Sequence, residues 1–403
     1  MNAFTIPQTL VNREELPPPI LTSEPGSFAQ YTLRERVPAI LQETARLNPF
    51  PEEIREAFQE LLAEITKGGT RPLREEAPDR AFWNTVSASH FGRGWLDVPW
   101  YWAEAYFYRR ILEAARYFQP GAWQGVDPFG PKKATELAPD AAPRAVQALL
   151  SCLPEARRAR FEAVLYASLW GNRTDLSYEV AARLGRPTGD RDERSNLLVD
   201  DTTALWNHFQ SGQGRRVAIL ADNAGTELLM DLVLVEHLLT RNLADEIQLH
   251  VKPQPFFVSD ATAQDVTDGL EALEQEGSAT RDLATRLRLH VAERRLRVVT
   301  HWHYATSLFF FELPEDLYDI LPNVDLVIVK GDANYRRLLG DARWPHTTPF
   351  AHAIRYFPSP LVVLRTLKAE IIVGLQPGQA EQLQAEDPAW LVNGKRGIIQ
   401  ARL

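Results

Sequence analysis

Arg215-Arg216-Val217-Ala218-Ile219-Leu220-Ala221-Asp222-Asn223 (RRVAILADN, 215–223) opens the half of the chain that decides the fold. Its centre is a short β-rich apolar run, and Gly225 then begins a helical stretch that reaches Leu239. Four further runs follow: EIQLHVKP (246–253), LRVVTHW (296–302), DLVIVKGDA (325–333) and LVVLRTL (361–367). Helical patterns near Ala263–Glu276 and over 281–293 separate the second run from the third. Short Val/Ile/Leu runs alternating with helices predict βαβ units and a parallel sheet.

Working outward, the chain before this half is helical. LQETARL and IREAFQELLAEITKG space apolar residues three and four apart, and Gly68-Gly69 is a helix stop. Pro99 sits where a helix can begin, and Trp100, Ala103, Phe107, Ile111 and Ala114 then share one face. The aromatics of this segment read as a buried core helix. Pro17, Pro18 and Pro19 favour an extended N-terminal arm. Residues 121–133 form a Gly/Pro-rich loop, helices resume from Pro143 to Leu184, and 185–193 is a polar connector. The expectation is an α/β protein: a helical N-terminal domain at 1–194 and a doubly wound, mostly parallel α/β/α domain at 195–403.

Composition narrows the function. The 403 residues carry a net charge of −9, with 45% apolar and 24% charged residues, 22 Gly and 28 Pro. That is a globular balance, and it excludes collagen-like or wholly disordered readings. The single cysteine, Cys152, excludes a disulfide framework and a multi-cysteine metal site, and it reads as a structural thiol. The acidic balance argues against nucleic acid as the partner. No leader pattern or apolar span of about 20 residues is visible, so the expectation is a cytoplasmic protein without a membrane partner. The sequence leaves the oligomeric state open. No GxGxxG follows the first strand and no GxxxxGK[ST] occurs, which disfavours dinucleotide and P-loop sites.

Ligands of open parallel sheets bind beyond the carboxyl ends of the strands. The residues expected there are Asp222, Asn223 and Glu227; Lys252 and Asp260; His301 and His303; Lys330, Gly331, Asp332 and Arg336; and Arg365 and Lys368. Asp222, Asn223 and Asp260 offer the oxygens a hard divalent cation takes. Lys330, Arg336 and Lys368 can neutralise phosphate oxygens. Each has a plainer reading: Asp222 or Asn223, and Asp260, could be helix N-caps, Asp332 could cap the helix carrying Tyr335, and Lys330 could be a solvated strand end. His301 and His303 would share a strand face at a spacing that suits zinc, but no third ligand is evident, and packing is preferred for them.

ILADNAGTE (219–227), FVSDAT (257–262), DLVIVKGDANYRRLLGD (325–341) and RTLKAEIIVGL (365–375), with PWYWAEAYFYRRI (99–111) and LWGNRTDLS (169–177), resemble the damage-control phosphatase family. This is the domain of unknown function 89 family, and the acidic-residue-methyltransferase-like branch is the nearest. The resemblance spans about residues 30–375. It implies a helical bundle joined to an α/β/α domain and a divalent metal (Mn²⁺, Mg²⁺, Co²⁺ or Ni²⁺) held by Asp222, Asn223 and Asp260. It also implies hydrolysis of small phosphate esters, sugar phosphates such as fructose 1-phosphate or fructose 6-phosphate. Glu104, Lys330, Asp332 and Lys368 would line the pocket, with Arg336 and Arg365 beside them. Glu370 departs from the branch, which often has Asp there.

On this reading Asp222, Asn223, Asp260 and Lys368 carry the chemistry. Asp222 serves as a metal ligand or, as a nucleophile, forms an aspartyl phosphate. Two alternatives use the same residues: S-adenosylmethionine-dependent carboxylate methyl transfer, and metal-dependent binding of sugar phosphates without turnover. Methyl transfer is disfavoured because Asp222-Asn223 occupy the turn where a glycine-rich donor loop is usual.

Overall fold

The computed structural model describes Pro7 and residues 9–138, 141–171, 194–212 and 215–403. The expected connector at 185–193, the end of the second helical run and most of LWGNRTDLS lie outside the described residues.

Among the described residues seven strands form one sheet: β1 (Leu197–Asp200), β2 (Arg216–Leu220), β3 (Glu246–Val251), β4 (Leu296–Thr300), β5 (Leu326–Lys330), β6 (Leu361–Thr366) and β7 (Gly397–Arg402). Their order is β1-β7-β6-β5-β2-β3-β4. Every neighbouring pair is parallel except β6 and β7. The five expected runs became β2 to β6, which gives the doubly wound, mostly parallel α/β/α sheet. The edge strand β1 and the antiparallel β7 carried no long apolar run of their own.

The chain leaves β2 toward β3 and β4, then returns to the other side of β2 as β5. The β2 and β5 loops therefore diverge, and this switch point is where such sheets hold ligands.

Alternate strand residues bury on opposite faces, as the two-residue strand period requires. Ala218, Leu220, Val327, Val329 and Val363 join one apolar cluster, while Val217, Ile219, Leu326, Ile328 and Val362 join another. The first cluster is covered by helices Val37–Leu47, Glu52–Lys67 and Trp100–Ala114. The second is covered by Gly225–Thr240, Ala263–Glu276 and Ser278–Ala292, and also by Ala142–Cys152 and Arg157–Trp170 from the first half of the chain.

Gly68 ends Glu52–Lys67 by donating its backbone N–H to Glu64 O, and Pro99 precedes Trp100–Ala114. That aromatic helix is a buried core helix, as its aromatics indicate, and the burial extends beyond one apolar face to Glu104, Arg109 and Arg110. It lies between the outer helices and the loops at the strand ends, so it has no solvent side: Tyr101 and Tyr108 pack on Phe257, in the loop after β3.

The N-terminal arm is not free-standing. Leu10 N–H donates to Phe311 O and Ile20 N–H to Asp341 O. No helix among the described residues is long and apolar enough to cross a membrane.

Candidate active site

The turn after β2 and the loop after β3 meet as a short antiparallel bridge between Asn223 and Asp260, with Ala261 N–H donating to Asp222 O at 2.8 Å. Neither side chain is spent as a helix cap. Helix Gly225–Thr240 has Ala224 at its N-cap and no side-chain cap. Helix Ala263–Glu276 is capped by Thr262 in a reciprocal box with Asp265. The plainer reading of Asp222, Asn223 and Asp260 is thus removed by geometry.

Asp222 is buried, and its Oδ1 has no hydrogen-bond partner among the described residues. Its Oδ2 accepts from Asn223 Nδ2 at 2.9 Å, and the same amide donates to Glu227 Oε2 at 2.9 Å. Asn223 Oδ1 accepts from Ser259 Oγ at 2.6 Å. Asp260 is buried with Lys252 Nζ 3.1 Å from its Oδ2. Burial pushes the Asp222 carboxyl well above the usual range, and the neighbouring Glu227 and Asp260 push it further, against Lys252. Asp260 is also raised, by burial first, with Lys252 opposing.

An orphaned buried carboxylate oxygen beside a second buried carboxylate, with one ammonium between them, leaves negative charge uncompensated. The oxygen donors fit a hard divalent cation. Among the described residues no group of three or more His, Cys, Asp and Glu is arranged to hold a metal; the donor set here is two carboxylates and an amide.

The loop that delivers Asp260 is strained. Phe257 (φ 43) and Val258 (φ 66) are both left-handed, and for a β-branched residue that is a true outlier, worth on the order of 1–3 kcal/mol. The stacking of Phe257 on Tyr101, with ring centroids 5.8 Å apart, holds it there.

A cavity of about 900 Å³ opens over these residues. Asp222, Asn223, Asp260, Glu104, Asp332, Arg336 and Lys368 all line it, as expected, and so do Lys133 and Glu136.

Lys330 and Arg365 are not on its wall. Lys330 is wholly buried, with its ammonium 2.8 Å from Asp231 Oδ1 and 3.3 Å from Glu227 Oε1 and donating to Ser168 Oγ at 2.9 Å. Burial alone would lower its pKa, but Asp231 and Glu227 outweigh that and raise it. Its ammonium is paired beneath the site, where it supports Glu227 and, through it, Asn223, whereas the sequence places it at the pocket. Arg365 is likewise wholly buried. It holds Asp332 Oδ1 at 2.7 Å and donates to the carbonyl of Ile371 at 2.6 Å. It positions Asp332 from within the core. Asp332 Oδ1 also accepts from the backbone N–H of Lys368 at 2.9 Å, so it ties β6 to the helix Asp332–Leu339; Gly331 takes the N-cap position in its place.

Arg336 lies over Trp100, 3.7 Å from the ring centroid, and is paired with Glu104 Oε2 at 2.5 Å and Asp341 Oδ1 at 2.8 Å. Burial raises the Glu104 carboxyl against the pull of Arg336.

His301 and His303 do not share a strand, because β4 ends at Thr300. His301 caps a 3₁₀ turn, accepting from His303 N–H at Nδ1, and His303 packs on Phe310. Glu370 accepts from the backbone N–H of Phe28, which anchors the arm beside the cavity.

Lys133 had no signal in the sequence. It comes from the Gly/Pro-rich stretch, yet its ammonium meets Asp265 Oδ2 at 2.9 Å and the carbonyl of Asp260 at 3.0 Å.

A profile described as the damage-control phosphatase ARMT1-like domain matches residues 32–383. The protein named damage-control phosphatase ARMT1 of Danio rerio is 33% identical, over 96% of this chain and 97% of its own. Its namesake of Homo sapiens is 31% identical, over 93% and 96%. The crystal structure of a DUF89 family protein from Pyrococcus horikoshii shares the fold with a TM-score of 0.53 at 15% identity, over 93% of this chain and 99% of that one. The class these define is that of phosphatases, hydrolases acting on phosphoric monoesters. The chain belongs to the damage-control phosphatase ARMT1-like family.

Proposed function

We propose that this chain is a divalent-metal-dependent phosphatase of small phosphomonoesters, with sugar phosphates such as fructose 1-phosphate and fructose 6-phosphate as substrates, working in the cytoplasm. The observation that carries the metal site is the orphaned Oδ1 of buried Asp222 beside buried Asp260. Asp222, Asn223 and Asp260 would hold the ion, which when bound supplies charge to polarise a phosphoryl oxygen.

The chain's own groups do the rest. Lys368 stands on the same cavity wall and donates to the phosphoryl group, where a charge-assisted contact is worth most as negative charge redistributes. Asp332 is held in one orientation by Arg365 and by the backbone of Lys368, so the strand-end residues are set before substrate arrives. Glu104, pinned by Arg336, accepts from a sugar hydroxyl. The cavity volume is in the range of small-molecule sites.

The experiment is phosphate release from fructose 1-phosphate and fructose 6-phosphate by chelated, metal-free protein, with and without added Mn²⁺, Mg²⁺, Co²⁺ or Ni²⁺. Release restored by metal is expected. Undiminished release by metal-free protein overturns the metal assignment. Binding of sugar phosphate without release would favour a binding protein, and turnover only with S-adenosylmethionine would favour methyl transfer.

A further inference from the structure

Asp222 and Asn223 stand on the turn after β2, and Asp260 stands on the loop after β3. Whether they can share a ligand depends on how far apart these two segments are held. Ala261 N–H donates to Asp222 O at 2.8 Å and Ala224 N–H to Ser259 O at 2.6 Å. The loop after β3 is strained at Phe257 and Val258, so its shape has to be imposed by its surroundings.

One short helix from the first half of the chain, Gly130–Glu136, meets both segments. Lys133 is buried, and its ammonium reaches three acceptors: the carbonyl of Asp260 at 3.0 Å, Asp265 Oδ2 at 2.9 Å and Asp127 Oδ2 at 3.0 Å. Its three protons are thereby used. Asp265 Oδ2 also accepts from Thr262 N–H at 2.8 Å, so Asp260 and Thr262 are both tied to this one ammonium. Glu136 lies three residues on, on the same side of the helix. Its Oε2 accepts from Thr226 N–H at 3.4 Å, and a methyl group on Gly225 would stand 1.9 Å from that oxygen. The carboxylate therefore rests directly on the turn that begins at Asp222.

We propose that Lys133 and Glu136 are positioning residues: from one helix they fix the spacing of the two segments, and so set how tightly Asp222, Asn223 and Asp260 hold a divalent cation. The effect on the cation rests on the proposal that those three residues are the metal site; the clamp on the two segments does not. Charge and position predict opposite signs at Lys133. Removal of a nearby ammonium would by charge alone tighten cation binding, whereas a loosened loop weakens it. At Glu136 the amide separates the two causes, because Glu136→Gln loses the charge but keeps an oxygen that can accept from Thr226.

Mn²⁺ is the probe, titrated calorimetrically into the folded full chain. Lys133→Met and Glu136→Ala should bind it about 10- to 100-fold more weakly than the parent, and Glu136→Gln within about threefold of it. Thr135→Ala, at an exposed position of the same helix, should match the parent. Lys133→Met leaves Asp127 and Asp265 without their cation; if it does not fold, Glu136→Ala, at an exposed side chain, carries the test. In metal-free protein, hydrogen exchange of the Ala224 and Ala261 amides, measured against the Val327 amide of β5, should speed by at least about tenfold in both clamp variants and not in Thr135→Ala. Mn²⁺ affinity unchanged or raised in Lys133→Met, equal losses in Glu136→Gln and Glu136→Ala, or unchanged exchange overturns the clamp. Absence of Mn²⁺ binding by the parent would count against the metal reading, and the exchange alone would then decide the clamp.

Discussion

Gly331 leaves the space that the Asp222 carboxylate fills. A methyl group on Gly331 would stand 1.9 Å from Asp222 Oδ2, and the glycine's φ is +81°. The end of β5 thus shapes the end of β2 across the switch point of the sheet. Any larger residue would have to displace the buried acid whose Oδ1 has no partner among the described residues.

Gly331→Ala should therefore lose phosphate release by about 10²-fold, the scale of an ångström-level misplacement. Gly378 is the control: its φ is also +81°, but nothing lies within 4 Å of an added methyl. Gly378→Ala carries left-handed strain of about 1–2 kcal/mol, and Gly331→Ala, at ψ 175°, sits in a region almost reserved for glycine at about 1–3 kcal/mol, so activity is compared per folded protein. Only the first should lose activity when both are assayed folded; equal activity in the two would show that Asp222 tolerates displacement.

Lys330→Met tests support against substrate contact. It leaves Glu227 and Asp231 buried without their ammonium, at a cost of about 3–5 kcal/mol. Denaturant unfolding should show that loss. If stability held and only KM rose, Lys330 would belong to the substrate.

Asp260→Asn and Lys368→Ala should separate in a metal titration. The first removes an anionic donor, so Mn²⁺ affinity should fall and excess Mn²⁺ should recover part of the rate. The second cannot alter ligation, because an ammonium is not a ligand; it should cost about 10²–10³ in rate at unchanged Mn²⁺ affinity. Equal losses of affinity in calorimetry would mean that the roles are misassigned.

His237 gives a pH test away from the site. Burial, then Arg160, Arg241 and Arg157, lower its pKa from 6.5 to about 3, and its Nε2 has no partner among the described residues. Between those values the unfolded chain binds a proton there and the folded chain does not, so this residue's contribution to stability falls as pH falls. His237→Gln removes that contribution. Parent minus variant unfolding free energy should rise with pH by about 1.4 kcal/mol per unit from pH 4 to 6 and level off above 7.5. A difference flat across the whole range would show that the ring is protonated in the folded state or accessible to solvent.

The sequence by itself determined what depends on near neighbours. Short Val/Ile/Leu runs alternating with helices set a parallel sheet, and the loops after β2, β3, β5 and β6 carry the acids, amide and lysine that line the cavity. Pro99 and Gly68 marked the helix ends they occupy. What only the tertiary structure decided is pairing between distant groups. Lys330 and Lys368 look alike as strand-end cations, yet Lys330 is consumed by Glu227 and Asp231, one helix away, while Lys368 lines the cavity. Arg365 is taken by Asp332, and Lys133 reaches Asp260 from 127 residues away. The strands β1 and β7 are held mainly by ladder partners. Periodicity records which residues are buried; it carries no record of which charge meets which, because a buried charge is satisfied by whatever group folding brings within about 4 Å.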